Sequence, residues 1–142
     1  MTGFVADVSA CMPWCCEDEA TTESELLLLR AANLEVLHVP SLWPWEMMNA
    51  LAVAVRRQRV RPEQADKFFE LLSNFDFRIA ESPAVADMPR LSALAAHHKL
   101  TSYDAAYLDL ALRLGLPLAT LDGALKRAAL AEGVGVLGSK SL

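Results

Sequence analysis

Histidine and cysteine are scarce here, and their scarcity narrows the chemistry. The three histidines, His38, His97 and His98, are scattered, with no His-x-x-x-His pair to hold a transition metal. His38 lies in a strand-like run and reads as a local structural residue. The three cysteines, Cys11, Cys15 and Cys16, fall within about two helical turns. An odd number so clustered makes no disulfide framework, and no second group of Cys or His completes a metal site. They read as small apolar residues on a buried helix. Long apolar runs are missing too: no uninterrupted stretch of about 18 residues could span a membrane. No basic segment precedes an apolar stretch at the N-terminus, so no signal peptide and a cytoplasmic location are expected. Positive charge is in deficit, with 13 Lys and Arg against 18 Asp and Glu, a net −5. That excludes binding nucleic acid by bulk electrostatics, so any basic contact must be local. Arg56, Arg57, Arg59 and Arg61 form the one dense basic patch. It is a candidate nucleic-acid contact, or equally a solvated helix end, where cations are favoured.

Hydrophobic residues, by contrast, make up 54% of the chain. A chain of 142 residues is most simply one domain, 1–142. It can bury roughly two thirds of its unfolded surface. Apolar runs at 3–6, 35–39, 75–81, 116–121 and 133–137 predict five short strands. Helices are predicted over 9–16 (broken near Pro13), 22–33, 42–59, 62–73, 87–98, 102–115 and 122–131. The second carries Thr22 and Glu25 at capping-box spacing. The run Glu17-Asp18-Glu19 faces solvent, and residues 138–142 are expected to fray. Strands alternating with one or two helices predict an α/β fold, a parallel sheet of about five strands flanked by helices on both faces. The near-continuous apolar strands are those of a buried parallel sheet.

Four acids stand in apolar surroundings. Asp7 closes the first strand, where open α/β sheets bind ligands; it could also simply cap the helix that follows. Ser9, two residues on, could orient it. Glu46 is the only charge between Glu35 and Arg56. A buried carboxylate without a partner is driven neutral or destabilises the fold, although an acid in the first turn also gains from the helix dipole. Asn49 shares its face at i+3. Asp104 has capping spacing with Thr101. Asp109, five residues on, lies about 140° away around a helix, so the two cannot face one site. Asp122 ends the fourth strand and could cap the last helix. Thr120 lies on the same side of that strand. Four converging carboxylates repel one another unless a cation such as Mg²⁺ or Mn²⁺ sits among them.

The runs Asp7-Val-Ser9, Glu46-Met-Met-Asn49, Tyr103-Asp-Ala-Ala-Tyr107 and Leu118-Ala-Thr-Leu-Asp122 together resemble the PIN-domain family, in particular the VapC-type toxins of bacterial and archaeal toxin–antitoxin modules. No single run is specific; their order and spacing, from about Phe4 to Leu137, are. The resemblance implies a metal-dependent endoribonuclease that cuts single-stranded RNA, with Asp7, Glu46, Asp104 and Asp122 as catalytic, Mg²⁺- or Mn²⁺-binding residues. Ser9, Asn49 and Thr120 would support them. It implies products with 5′-phosphate and 3′-hydroxyl ends. It also implies a homodimer and a small antitoxin protein lying across the active-site groove. The RNA contact would then fall to the arginine patch.

Two other readings compete. A haloacid-type phosphatase also has an acid after its first strand, but needs Asp-x-Asp-x-Thr, and the chain has Asp7-Val-Ser-Ala-Cys11. A non-catalytic interaction module on the PIN fold would have no need of all four acids.

Overall fold

The structure, a computed structural model, describes residues 2–139; the tail at 140–142, part of the stretch expected to fray, lies outside them. Its core is a five-stranded sheet in the order β3-β2-β1-β4-β5, with every neighbouring pair parallel. The strands are β1 (Phe4–Ala6), β2 (Leu37–Val39), β3 (Phe77–Ile79), β4 (Leu118–Ala119) and β5 (Val136–Leu137). The helices are α1 (Val8–Cys11), α2 (Thr22–Ala32), α3 (Trp43–Arg56), α4 (Pro62–Leu72), α5 (Met88–His98), α6 (Ser102–Leu114) and α7 (Gly123–Ala131). This is the α/β architecture expected from the sequence, with every strand trimmed.

Phe4, Val5 and Ala6 are wholly buried, as are Leu37, Val39, Leu118 and Ala119. Removing such side chains from water supplies about 1.5–3 kcal/mol for each large one and dominates the stability of the sheet. The edge strand β3 departs from the expected pattern, for Arg78 and Ile79 are exposed. A helix covers both faces only near the centre of a sheet, and the charged Arg78 also blunts an edge open to further pairing. β1 is drawn tight against β2 by Gly3. At its φ of +106° a Cβ would come within 2.2 Å of the Val36 carbonyl oxygen, so only glycine fits.

The helix ends show local chemistry. The cap of α2 lies one residue before the predicted one. Thr21, not Thr22, accepts from the Ser24 N–H at 3.0 Å, and Ser24 Oγ accepts from the Thr21 N–H at 2.8 Å. A reciprocal cap needs only a hydroxyl at the right spacing, and Ser24 supplies it. α3 stops at Arg56, three residues short of prediction, because Gln58 turns left-handed at φ 59°. The break expected at Pro13 is there: α1 gives way to a 3-10 turn over Met12–Trp14. Glu17–Glu19 form another such turn. Cys11 lies in the main core, Cys16 in a smaller cluster with Ala54, Val60 and Ala65, and all three cysteines are free thiols. His38 is buried, its Nε2 3.2 Å from the Thr2 carbonyl oxygen. No helix among the described residues is long and apolar enough to cross a membrane.

The order of the strands fixes where function can reside. From β1 the chain moves outward to β2 and β3, then returns to the other side of β1 as β4. The connections therefore leave β1 and β4 in opposite directions, opening a crevice at their carboxyl ends. Asp7 follows β1 there, and Thr120 and Asp122 follow β4.

Candidate active site

Register brings the first pair together. Ala6 is opposite Ala119, and the Asp7 N–H donates to the Ala119 carbonyl at 3.1 Å. Asp7 therefore lies beside Thr120, a residue 113 positions away, whose hydroxyl donates to Asp7 Oδ2 at 2.5 Å. Ser9 Oγ donates to Asp7 Oδ1 at 2.6 Å and the Ala10 N–H does so at 3.0 Å. Ser9 Oγ in turn accepts from the Leu121 N–H at 2.9 Å, tying the two strand ends together. Thr120 Oγ1 accepts from the Asp122 N–H at 3.0 Å. The roles anticipated for Ser9 and Thr120 thus have a geometric basis: both hold Asp7 in place.

The capping alternatives are also real. Asp7 caps α1 through Ala10, and Asp122 caps α7 by accepting from the Leu125 N–H at 2.9 Å. Capping and site geometry are compatible, because a carboxylate has about four lone-pair sites and a cap uses one. At α6 the cap is Thr101, which accepts from the Asp104 backbone N–H at 3.1 Å.

Glu46, in the first turn of α3, meets α6 through Tyr107, whose hydroxyl donates to Glu46 Oε1 at 2.5 Å. Tyr107 is a functional group that the sequence pattern alone does not single out. Its signal is its place one turn beyond Asp104 on the same face, together with the need of a buried tyrosine for a polar partner. Asn49 is exposed one turn along α3, and its side chain makes no hydrogen bond among the described residues.

The four acids act on one another. Burial raises the pKa of Asp7; hydrogen bonds from Ser9, Thr120 and Ala10 oppose this, and the charge of Asp104 adds to it. Burial raises that of Glu46, against the Tyr107 hydrogen bond, and the charges of Asp104 and Asp7 push it further. Burial and then the charge of Asp122 raise that of Asp104, with Thr101 opposing. All four carboxylates therefore share one electrostatic neighbourhood, and every charge that shifts these three is negative.

Such a donor set suits a hard divalent cation, which takes carboxylate oxygens and keeps several waters. Among the described residues, ligand atoms within 4.8 Å of one another occur at His97–His98–Glu132 and at Cys16–Asp18–Glu19. No three of the four acids come that close together, so holding one ion directly would require them to draw inward.

Asp109 is elsewhere, as its helical phase requires. It is buried in ion pairs with Arg90 at 2.6 Å and Arg113 at 2.9 Å. The arginine patch is not gathered at the acids. Arg56 is ten residues along α3 from Glu46, about 15 Å at the helical rise. Arg59 pairs with Glu19 at 3.0 Å and Asp18 at 3.9 Å, and the Arg61 N–H donates to Gln64 Oε1 at 3.0 Å as α4 begins.

Comparison with known proteins bears on the family and the fold. The family model of the PIN domain matches residues 4–130. The chain is 33% identical over 120 residues to Ribonuclease VapC3 of Pyrobaculum aerophilum, covering 84% of this chain and 88% of that protein. The crystal structure of PAE2754 from the same organism superposes with a TM-score of 0.68 at 24% identity, covering 94% of this chain and 90% of that one. That second likeness concerns the fold.

Proposed function

This chain belongs to the PIN-domain family, within its VapC-type branch, and on that premise we propose that it is the toxin of a toxin–antitoxin pair, a metal-dependent endoribonuclease acting on single-stranded RNA. The observation that carries the reading is the grouping of Asp7, Glu46, Asp104 and Asp122 at the crevice beside β1 and β4, each coupled in charge to at least one other. A relative named as a ribonuclease over most of both chains supports the same chemistry.

The four acids would hold Mg²⁺ or Mn²⁺ at the crevice. A bound ion supplies two things there: it neutralises charge developing on the scissile phosphate and lowers the pKa of coordinated water. The residues do the positioning. Thr120, Ser9 and the Ala10 N–H fix both oxygens of Asp7, and Tyr107 fixes Glu46. These outer hydrogen bonds favour the ionised, ligand-competent form and partly offset the effect of burial. Hydrolysis at such a centre leaves a 5′-phosphate and a 3′-hydroxyl. The three histidines are scattered along the sequence, which does not favour an imidazole base for attack by the 2′-hydroxyl.

The same reading makes the protein a cytoplasmic homodimer, held inactive by a small antitoxin protein that covers the groove. The test is cleavage of single-stranded RNA in Mg²⁺ or Mn²⁺, with the product ends sequenced. Asp7→Asn and Glu46→Ala should abolish it with the fold intact. Cleavage at the wild-type rate by both variants would sink the assignment. Absence of any Mg²⁺ or Mn²⁺ binding at millimolar concentration would point instead to a non-catalytic module.

A further inference from the structure

Two of the most exposed aromatic rings in the described chain immediately precede two of the four acids. Trp45 is 74% exposed and precedes Glu46; Tyr103 is 66% exposed and precedes Asp104. Both lie in the first turn of a helix, α3 and α6 respectively. Those two helix starts are neighbours: Tyr107, one turn along α6 from Tyr103, reaches Glu46. Among the described residues neither ring stacks on another ring or on a cation.

Leaving a large ring in water forfeits the gain of burying it, so an unstacked Trp and Tyr beside a catalytic centre call for a partner. On the Tyr103 side that partner has a receptacle. A cavity of about 600 Å³ opens there, lined by Leu42, Pro83, Met88, Leu91, Tyr103 and Ala106 among others. Leu42 is the N-cap of α3, so the cavity adjoins both helix starts. Its walls are apolar and concave, as binding sites for flat, poorly hydrated groups are.

We propose that Trp45 and Tyr103 are stacking platforms for the unpaired nucleobases on either side of the scissile phosphate, the base on the Tyr103 side entering the apolar cavity. The inference rests on the ribonuclease reading and adds to it how the strand is held. Single-stranded nucleic acid is gripped by aromatic faces as well as by charge, because every base has a π-face. That matters in a chain of net charge −5, which cannot rely on bulk attraction to phosphate. Each ring directly precedes an acid proposed to act on the phosphate, which suits bases flanking that phosphate; an antitoxin covering the groove would occlude the same two rings.

The test is a cycle between ring and base. Cleavage of a mixed-sequence single-stranded RNA 12-mer is measured for the wild type, Trp45→Ala and Tyr103→Ala, and for Trp45→Phe and Tyr103→Phe. The same set is run on a 12-mer carrying abasic sites on both sides of the bond the wild type cuts. Each alanine variant should raise KM about 5- to 150-fold with a smaller change in kcat, and the phenylalanine variants should recover most of it. On the abasic RNA, wild type and variants should converge. Equal alanine penalties on intact and abasic RNA would overturn the proposal, and so would wild-type KM values. A change of oligomeric mass by light scattering with unchanged KM would also overturn it, assigning the rings to a protein interface. Should an alanine variant not fold, quenching of Trp45 emission by the 12-mer, lost in Trp45→Phe, decides that side. For Tyr103 the decision then comes from Tyr103→Leu, which should behave as a loss. If the wild type fails to cut RNA at all, the function itself is wrong; if it cuts and only the ring variants are indifferent, this inference alone fails.

Discussion

The hydroxyl of Tyr107 donates to Glu46 Oε1 at 2.5 Å, across 61 residues of sequence. Burial raises the pKa of Glu46, and this hydrogen bond is the influence that opposes it. Tyr107 itself is 1% exposed, and burial followed by its bond to Glu46 holds its own hydroxyl protonated, far above its ordinary pKa. The hydroxyl is thus a permanent donor that favours the charged form of a crowded carboxylate.

Tyr107→Phe keeps the ring and removes the donor. Glu46 then protonates more readily, so the acid limb of the pH–rate profile should move to higher pH. Loss of an outer-sphere partner of this kind costs about 10- to 100-fold in metal affinity or activity. The stability cost should be modest, about 1 kcal/mol for one hydrogen bond. RNA cleavage against pH, in parallel with thermal melting, tests both. An unmoved acid limb would mean that Tyr107 only fills space.

Asp104 should make the fold less stable when ionised and alone with its neighbours. Burial and the charge of Asp122 raise its folded-state pKa, so at the pH where it titrates the folded state holds the proton more tightly than the unfolded state. The penalty is absent below the unfolded pKa and complete above the folded one. Asp104→Asn should therefore raise the melting temperature of metal-free protein at pH 7–8, and the advantage should shrink as pH falls into the carboxylate range. Mg²⁺ should stabilise the wild type by binding the native state, and the variant less, while cleavage is lost. A variant that melts lower than wild type at neutral pH would contradict the repulsion.

Much of this site is legible in the amino-acid sequence, for a chemical reason. Asp7 and Asp122 sit at strand ends marked by runs of Phe, Val, Leu and Ala, and Glu46 is an isolated charge in an apolar stretch, so each stands out locally. The separation of Asp104 from Asp109 follows from helical phase alone. Tyr107 does not stand out, because its role depends on α3 and α6 packing together, which no local pattern encodes. The cap falls at Thr21, one residue from its expected place, because Thr22 is equally suited by type and only backbone geometry chooses between them. The end of α3 depends on a left-handed Gln58, a conformation that glutamine rarely announces. The exposure of β3 comes from its edge position, which is a property of strand order.

Asp109 provides the contrast to the four acids. Its carboxylate is buried and bridges Arg90 of α5 and Arg113 of α6. Asp109→Ala should lower the melting temperature, since it removes two charge-assisted hydrogen bonds that pin α5 to α6. Metal affinity and the acid limb of the pH profile should not move. If Mg²⁺ binding fell as far as in Asp104→Asn, the division of the two acids between structure and site would be wrong.

The arginines near the end of α3 divide in the same way. Arg56 and Arg57 are exposed, whereas Arg59 is engaged with Glu19 and Asp18. If the first two touch phosphate, each contact releases counterions, and binding weakens with salt on a logarithmic slope of about −0.7 per phosphate for a single strand. The double variant Arg56→Ala/Arg57→Ala should flatten that slope by about 1.4 for a single-stranded RNA 12-mer. Arg59→Ala should leave it unchanged and loosen the 3-10 turn at Glu17–Glu19 instead, visible as faster amide exchange there. An equal loss of slope in Arg59→Ala would show that RNA competes successfully with the acidic turn for that guanidinium. An unchanged slope in the double variant would make Arg56 and Arg57 a solvated helix end, leaving the metal centre and the groove itself to hold the strand.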